Sequence, residues 1–288
     1  MDSLKVNHDK LLFMSYQHGY LFEKATLLKG IIDNPVLIID SIQGNRDFKF
    51  KNYDAITLHL ETEIHFTMYH ALESMFAMAF ALIKQPDNVW VWLTNYSFFE
   101  FGKMIDDVAK SNISSISEQD ELETIRILFF KNCPVEFVGQ EETIEMMHKL
   151  SYILKLCARE LNNKNAYNSY KHGLRIITGD IKLKLVNETE RINNEIGVRP
   201  GFVYLDKKSS SLVPELYSFE RSYKIIQLCW QMTSLMIKQR KIEYIVEEDQ
   251  CVIETTNFND IDIEDIFGKD IINYFLDEIS KNNELITP

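Results

Sequence analysis

The segment Asn165-Ala-Tyr-Asn-Ser-Tyr-Lys-His-Gly-Leu-Arg175 places an imidazole, two cations and two amides within eleven residues. Wound as a helix, it has Asn168, Lys171, His172 and Arg175 at i, i+3, i+4 and i+7, on one face. Tyr167, Tyr170 and Leu174 form the other face. One side is polar and cationic, the other aromatic and apolar. A histidine can move a proton near neutral pH, and a neighbouring Lys or Arg steadies charge on phosphate oxygens, so the pattern suits a phosphodiester. A structural reading stands beside it. Gly173 can end the helix as the residue past the C-cap. His172 would then meet the partial negative charge of the helix C-terminus, and Arg175 would leave the face.

A second constellation is His59, Glu63, Phe66, His70 and Glu73, spaced 4, 3, 4 and 3 apart on one face of a long helical stretch. Such a set could ligate a metal as a bundle metalloprotein. Paired-helix di-metal sites carry Glu-x-x-His, however, whereas the order here is His70-Ala-Leu-Glu73, and Glu142 and Glu145 are poor partners for it. The competing reading has His70 and Glu73 hydrogen-bonded inside a bundle. Glu73 precedes Ser-Met-Phe-Ala-Met-Ala-Phe-Ala-Leu-Ile, so it is expected to point partly inward, where a carboxylate needs a cationic or donor partner. No cofactor or metal is expected.

The chain has no P-loop, GxGxxG, HExxH, GxSxG or kinase signature. Cys133, Cys157, Cys229 and Cys251 form no CxxC pair and read as free thiols of a reducing compartment. Phe98-Phe99 and Trp90-Val-Trp92 could stack on bases, but buried aromatic packing is the commoner use.

The elements that must position these residues are mostly helices. The pattern predicts a short helix over Asp9–Lys29, a long one from Asp54 to Lys84 ended by Pro86-Asp87, and an aromatic-rich one over Val89–Lys110. Ser117-Glu-Gln-Asp120 can cap a helix running to Phe130. In Gln140–Asn162, Ile144, Met147, Leu150, Leu154, Cys157 and Leu161 mark an amphipathic face. Helices are also expected over Ala166–Ile176, Leu216–Lys241 and Asp262–Lys281. Strands are expected at Val36–Asp40 with Asp47–Lys51, at Ile181–Val186 with Phe202–Leu205 across an Asn193–Gly201 loop, and at Tyr244–Val246 with Cys251–Glu254. The class is mainly α, a helical bundle with small β-hairpin additions. The divisions are a mixed α/β segment at 1–53, a helical bundle domain at 54–242 with a β insertion near 181–205, and a hairpin plus acidic helix at 243–288.

Across 288 residues, 45% hydrophobic content supports a real core and excludes disordered, collagen-like and disulfide-miniprotein classes. Met68–Ile83 is the most apolar stretch. It is shorter than the ~20 residues a bilayer span needs and reads as a core helix. The start Met1–Lys10 has no secretory pattern, and a cytoplasmic protein is expected. The net charge of −12 is uneven. Lys241–Pro288 carries −10, whereas Lys149–Arg175 carries +5 from Lys149, Lys155, Arg159, Lys164, Lys171 and Arg175 against Glu160. That basic segment either attracts phosphates or is a solvated face partnered and masked by the acidic C-terminal region.

A long bundle helix bearing an inward acidic residue, Glu73, followed by a short helix with Asn168-x-x-x-His172, resembles the HEPN superfamily over about residues 54–176. That family comprises small α-helical bundles of prokaryotic toxins, phage-defence proteins and CRISPR effectors. Its active members are metal-independent endoribonucleases whose motif is Arg, four to six residues, then His, with a polar residue often following the Arg. His172 matches the His and Asn168 the polar residue, while Tyr167 stands at the Arg position. Arg159 is separated from His172 by twelve residues. The resemblance implies RNA as the partner and a homodimer in which two such helices meet. In a cleaving member, His172 would be the acid/base group, Asn168 would orient it or the phosphate, Lys171 and Arg175 would neutralise charge, and Glu73 would position one of these. The RNA 2′-hydroxyl would attack. Tyr167 at the Arg position equally suits a non-catalytic helical protein-interaction module.

Overall fold

The computed structural model describes residues 7–36, 53–162, 165–171, 176–187, 192–205, 211–244, 258 and 261–267. The protein is mainly α-helical, with a three-stranded antiparallel sheet. Its chain divides into two compact units. One gathers Met1–Phe22, His70–Asn163 and Ile226–Asp262; the other gathers Glu23–Tyr69, Lys164–Ile225 and Ile263–Pro288.

Two long helices, α3 (Tyr53–Lys84) and α11 (Phe219–Ile242), run through both units. In the first unit, Leu72, Met75, Phe76, Phe80 and Leu82 of α3 are buried, as are Met232, Met236 and Ile237 of α11. By length and composition α3 could cross a membrane, with a mean hydropathy of 1.3 over its apolar window, but 78% of that window is buried inside the protein.

The first unit also holds α1 (His8–Ser15), α4 (Val89–Asn95), α5 (Phe98–Ala109), α6 (Ser114–Ser117), α7 (Glu121–Phe129), α8 (Val135–Val138) and α9 (Glu141–Asn162). Helix α9 packs against α5 and α7. Its buried face holds Met147, Leu150, Leu154, Cys157 and Leu161 as expected, joined by Met146, Ile153 and Ala158. Ile144 instead faces outward, because Thr143 takes the inward position of that turn.

Sharp starts explain several boundaries. The stretch expected as one helix over Asp9–Lys29 is two, α1 and α2 (Tyr20–Asp33), because Tyr16 turns extended behind its N–H bond to the Leu12 carbonyl and His18-Gly19 form a turn. The aromatic stretch likewise divides at Tyr96-Ser97, where the Ser97 hydroxyl caps α5 by accepting from the Phe99 N–H at 3.2 Å. Asp120 caps α7, accepting from the Glu123 N–H at 2.8 Å. Helix α4 has no cap from its own Asn88. The buried Asp9 carboxylate accepts from the Val89 and Trp90 N–H groups, both at 2.9 Å.

The second unit holds the first part of α3, the residues of α2 from Glu23, α10 (Asn165–Lys171), the sheet, the start of α11, and α12 (Ile263–Phe267). The sheet order is β1 (Ile176–Asn187), β2 (Ile192–Leu205), β3 (Leu212–Leu216), all antiparallel. Two expectations fail here. Asn193–Gly201 is strand rather than loop, and Ile176 begins β1 rather than ending a helix. The ladder continues through a polar stretch because backbone pairing needs no apolar side chains. A register shift between Leu183 and Lys184 absorbs the irregularity. At Gly201 the strands approach closely: a Cβ would lie 2.4 Å from Ile181 Cδ1 and 2.6 Å from the Glu215 carbonyl oxygen. Phe202 and Tyr204, two apart, turn their rings into the core. The hairpins expected at 36–51 and at 244–254 lie mostly outside the described residues, as does the expected C-terminal helix beyond Phe267.

Candidate functional site

Helix α10 is held against α3 through Tyr170 and Tyr167, all within the second unit. The Tyr170 hydroxyl donates to Glu63 Oε2 at 2.5 Å, and its ring stacks on Phe66 with centroids 4.0 Å apart and planes 7° from parallel. The other Glu63 oxygen accepts from Lys24 Nζ at 2.6 Å. Burial, then the hydrogen bond and negative charge of Glu63, push the Tyr170 phenol well above its ordinary value. Tyr170 is therefore a neutral donor at any physiological pH, and Glu63 a shared acceptor.

Tyr167 is fully buried and stacks on Tyr69, with centroids 5.1 Å apart and planes 16° from parallel. The Lys171 ammonium sits 4.1 Å from the Tyr167 ring centroid, a cation–π contact. Asn168 and Lys171 are exposed. The helix thus has the two faces its spacing suggests: Tyr167 and Tyr170 inward, Asn168 and Lys171 in solvent. His172 and Arg175 lie outside the described residues.

Glu73 is half-buried in the first unit. Burial and then its negative charge raise the Tyr96 phenol, which places the carboxylate near that ring. The metal set is not assembled. His59 and His70 are both exposed, Glu63 is engaged by Lys24 and Tyr170, and no group of three His, Cys, Asp or Glu among the described residues is placed to hold an ion.

Spacing arguments miss His65. It is buried on α3, with Nδ1 3.0 Å from the Ser222 hydroxyl and its ring stacked on Tyr217 at 5.0 Å. Nearby, Thr62 and Tyr217 share a hydroxyl hydrogen bond of 2.8 Å. Only its place among Thr62, Phe66 and Tyr69 in the sequence hints at an inward position. These groups tie α3 to the residue after β3 and to the start of α11.

The basic segment does not act as one stripe. Lys155 pairs with Glu121 at 2.7 Å, and Arg159 Nε donates to the Ala109 carbonyl at 3.1 Å. Asp265 of the acidic C-terminal region pairs with Lys224 of α11. Burial alone would raise the Glu121 carboxyl, but hydrogen bonds from Lys155 and Ser151 hold it below its ordinary value. The aromatic pair Phe98-Phe99 also departs from its expected buried use: each ring is 82% exposed.

No family model, curated protein or solved structure matches the chain.

Proposed function

We propose that the chain is a HEPN-like protein that binds RNA on the solvent side of α10 and does not cut it. One observation carries this reading. Tyr167, which stands at the motif's Arg position, is fully buried, whereas Asn168 and Lys171 of the same helix are exposed, the Lys171 ammonium lying over the Tyr167 ring. A buried phenol supplies no cation to a scissile phosphate. Lys171 supplies a point charge without the planar, bidentate geometry of a guanidinium. An amide and an ammonium in solvent suffice to hold a phosphate backbone.

Single-stranded RNA incubated with the full chain in EDTA tests this. The expected result is binding that weakens as salt rises, with the RNA intact. Replacing Lys171 by Ala should lower the slope of log affinity against log salt by about 0.7. Cleavage abolished by His172→Ala would replace this reading with the endoribonuclease one, in which Asn168, Lys171, Arg175 and Glu73 take the roles given above. The setting we favour is cytoplasmic toxin or phage-defence biology, with the chain as a homodimer, which sedimentation would read.

A second reading, a protein-interaction module, draws on the exposed Phe98 and Phe99 rings. Salt-independent capture of a protein partner that Phe98→Ser with Phe99→Ser abolishes would favour it, since apolar contacts are not screened by salt.

A further inference from the structure

The first unit contains a cavity of about 250 Å³ that the RNA reading does not use. Its floor is built from Ala71 of α3 with Ile226, Cys229 and Thr233 of α11, all buried. Tyr20, 62% exposed, stands at the rim. Phe22 and Trp230 line it as a stacked pair, with centroids 4.7 Å apart and planes 12° from parallel. Gln17, His18 and Ser74 add polar groups to the lining.

We propose that this cavity binds an uncharged, planar heteroaromatic molecule of two fused rings, of the nucleobase or indole class. Three features select that chemistry. The first is size: an apolar cavity of about 150 Å³ holds benzene, so this one has room for a second ring. The second is the wall. Phe22, Trp230, Tyr16 and Tyr20 offer ring faces and edges at which an aromatic guest stacks or meets edge-on. The third is charge. No Lys, Arg, Asp or Glu lines the cavity. A phosphate or carboxylate entering it would lose hydration with no Lys or Arg to replace it. The amide of Gln17 and the hydroxyls of Ser74 and Thr233 match the ring N–H and carbonyl groups of a neutral heterocycle. Burial, together with the neighbouring Cys157 thiol, keeps the Cys229 thiol protonated, so it serves as a soft apolar wall rather than a nucleophile.

The test titrates the full chain separately with indole, adenine and adenosine monophosphate. Thermal shift is followed for all three, and tryptophan emission with Trp230→Phe as the optical control. The proposal expects saturable binding of indole or adenine with a dissociation constant below about 1 mM, and the monophosphate weaker than adenine by about tenfold or more. Filling the floor with Ala71→Leu or Thr233→Leu should abolish that binding in whichever variant keeps the wild-type circular dichroism spectrum. No saturable response to indole or adenine up to about 5 mM overturns the proposal, being weaker than a useful small-ligand site allows. So does equal affinity for adenine and its monophosphate. Both of these outcomes are read on the wild-type chain, so the proposal stands or falls even where a filling variant fails to fold.

Discussion

Glu63 is the side chain on which the position of α10 depends. It accepts from Lys24, 39 residues away, and from Tyr170, 107 residues away. Replacing Tyr170 by Phe keeps the stack on Phe66 and removes only the hydroxyl, so we expect a loss of about 1 kcal/mol, below the usual range for a bond to a charged group because solvent screens the partly exposed Glu63 carboxylate. The pH dependence has a definite sign. The folded state holds the Tyr170 phenol above its ordinary value of about 10. Its contribution is therefore fully present below pH ~10 and falls away as pH rises beyond that. Denaturant midpoints measured from pH 8 to 11.5 should drop more steeply at the alkaline end for wild type than for Tyr170→Phe; parallel curves would show that the bond contributes nothing. The inward placement of Tyr167 and Tyr170 was readable, because helical spacing alone divides the segment into two faces. The role of Glu63 was not. Its partners are remote in sequence, and spacing along α3 groups it with His59 and His70, which stay in solvent.

Among the elements, α4 begins on a cap supplied from another helix. The Asp9 carboxylate takes both the Val89 and Trp90 N–H groups while buried. Asp9→Ala should lower stability by about 1–2 kcal/mol, a drop in Tm of several degrees, with Asp9→Asn losing less because its amide oxygen still accepts. Equal loss from both variants would mean the charge, not the cap, matters. Gly201→Ala should destabilise by about 1–3 kcal/mol, since the new Cβ would press on Ile181 and on the Glu215 carbonyl. Wild-type stability in that variant would mean that β2 and β3 part without cost at this point. The long helices and the amphipathic α9 were legible because their apolar residues recur with the helical period. The middle of β2 was not, because Asn193, Asn194, Glu195 and Gly197 pair through backbone groups that leave no side-chain pattern. The split between α1 and α2 was also hidden, since it turns on a backbone bend at Tyr16.

For the molecule as a whole, net acidity of −12 coexists with ion pairs that hold carboxylates ionised. Glu121, Glu123 and Glu243 are all held below the ordinary carboxylate value, through Lys155 and Ser151, through Arg126, and through Lys131 and Arg240 respectively, against the opposing effect of burial. Their stabilisation is present above the ordinary value of about 4.3 and is lost as pH falls through the lower folded values. Acid unfolding of wild type should begin below pH ~4.5, and Lys155→Met should flatten part of that slope while lowering stability at pH 7. An unchanged slope would remove Glu121 from the account. The fold class was legible at this scale from composition and helical periodicity. The division into two units was not, because each is assembled from three separated stretches of chain and boundaries fall inside α2, α3 and α11.

The most direct test of the central claim is a gel-shift titration of end-labelled single-stranded RNA with the full chain in EDTA, at two salt concentrations. Wild type and Lys171→Ala are run in parallel, and the RNA is afterwards resolved under denaturing conditions. The account predicts a shifted complex that weakens with salt, a smaller salt dependence for Lys171→Ala, and full-length RNA in every lane. RNA fragments that vanish with His172→Ala, or no salt-dependent complex at all, would contradict it.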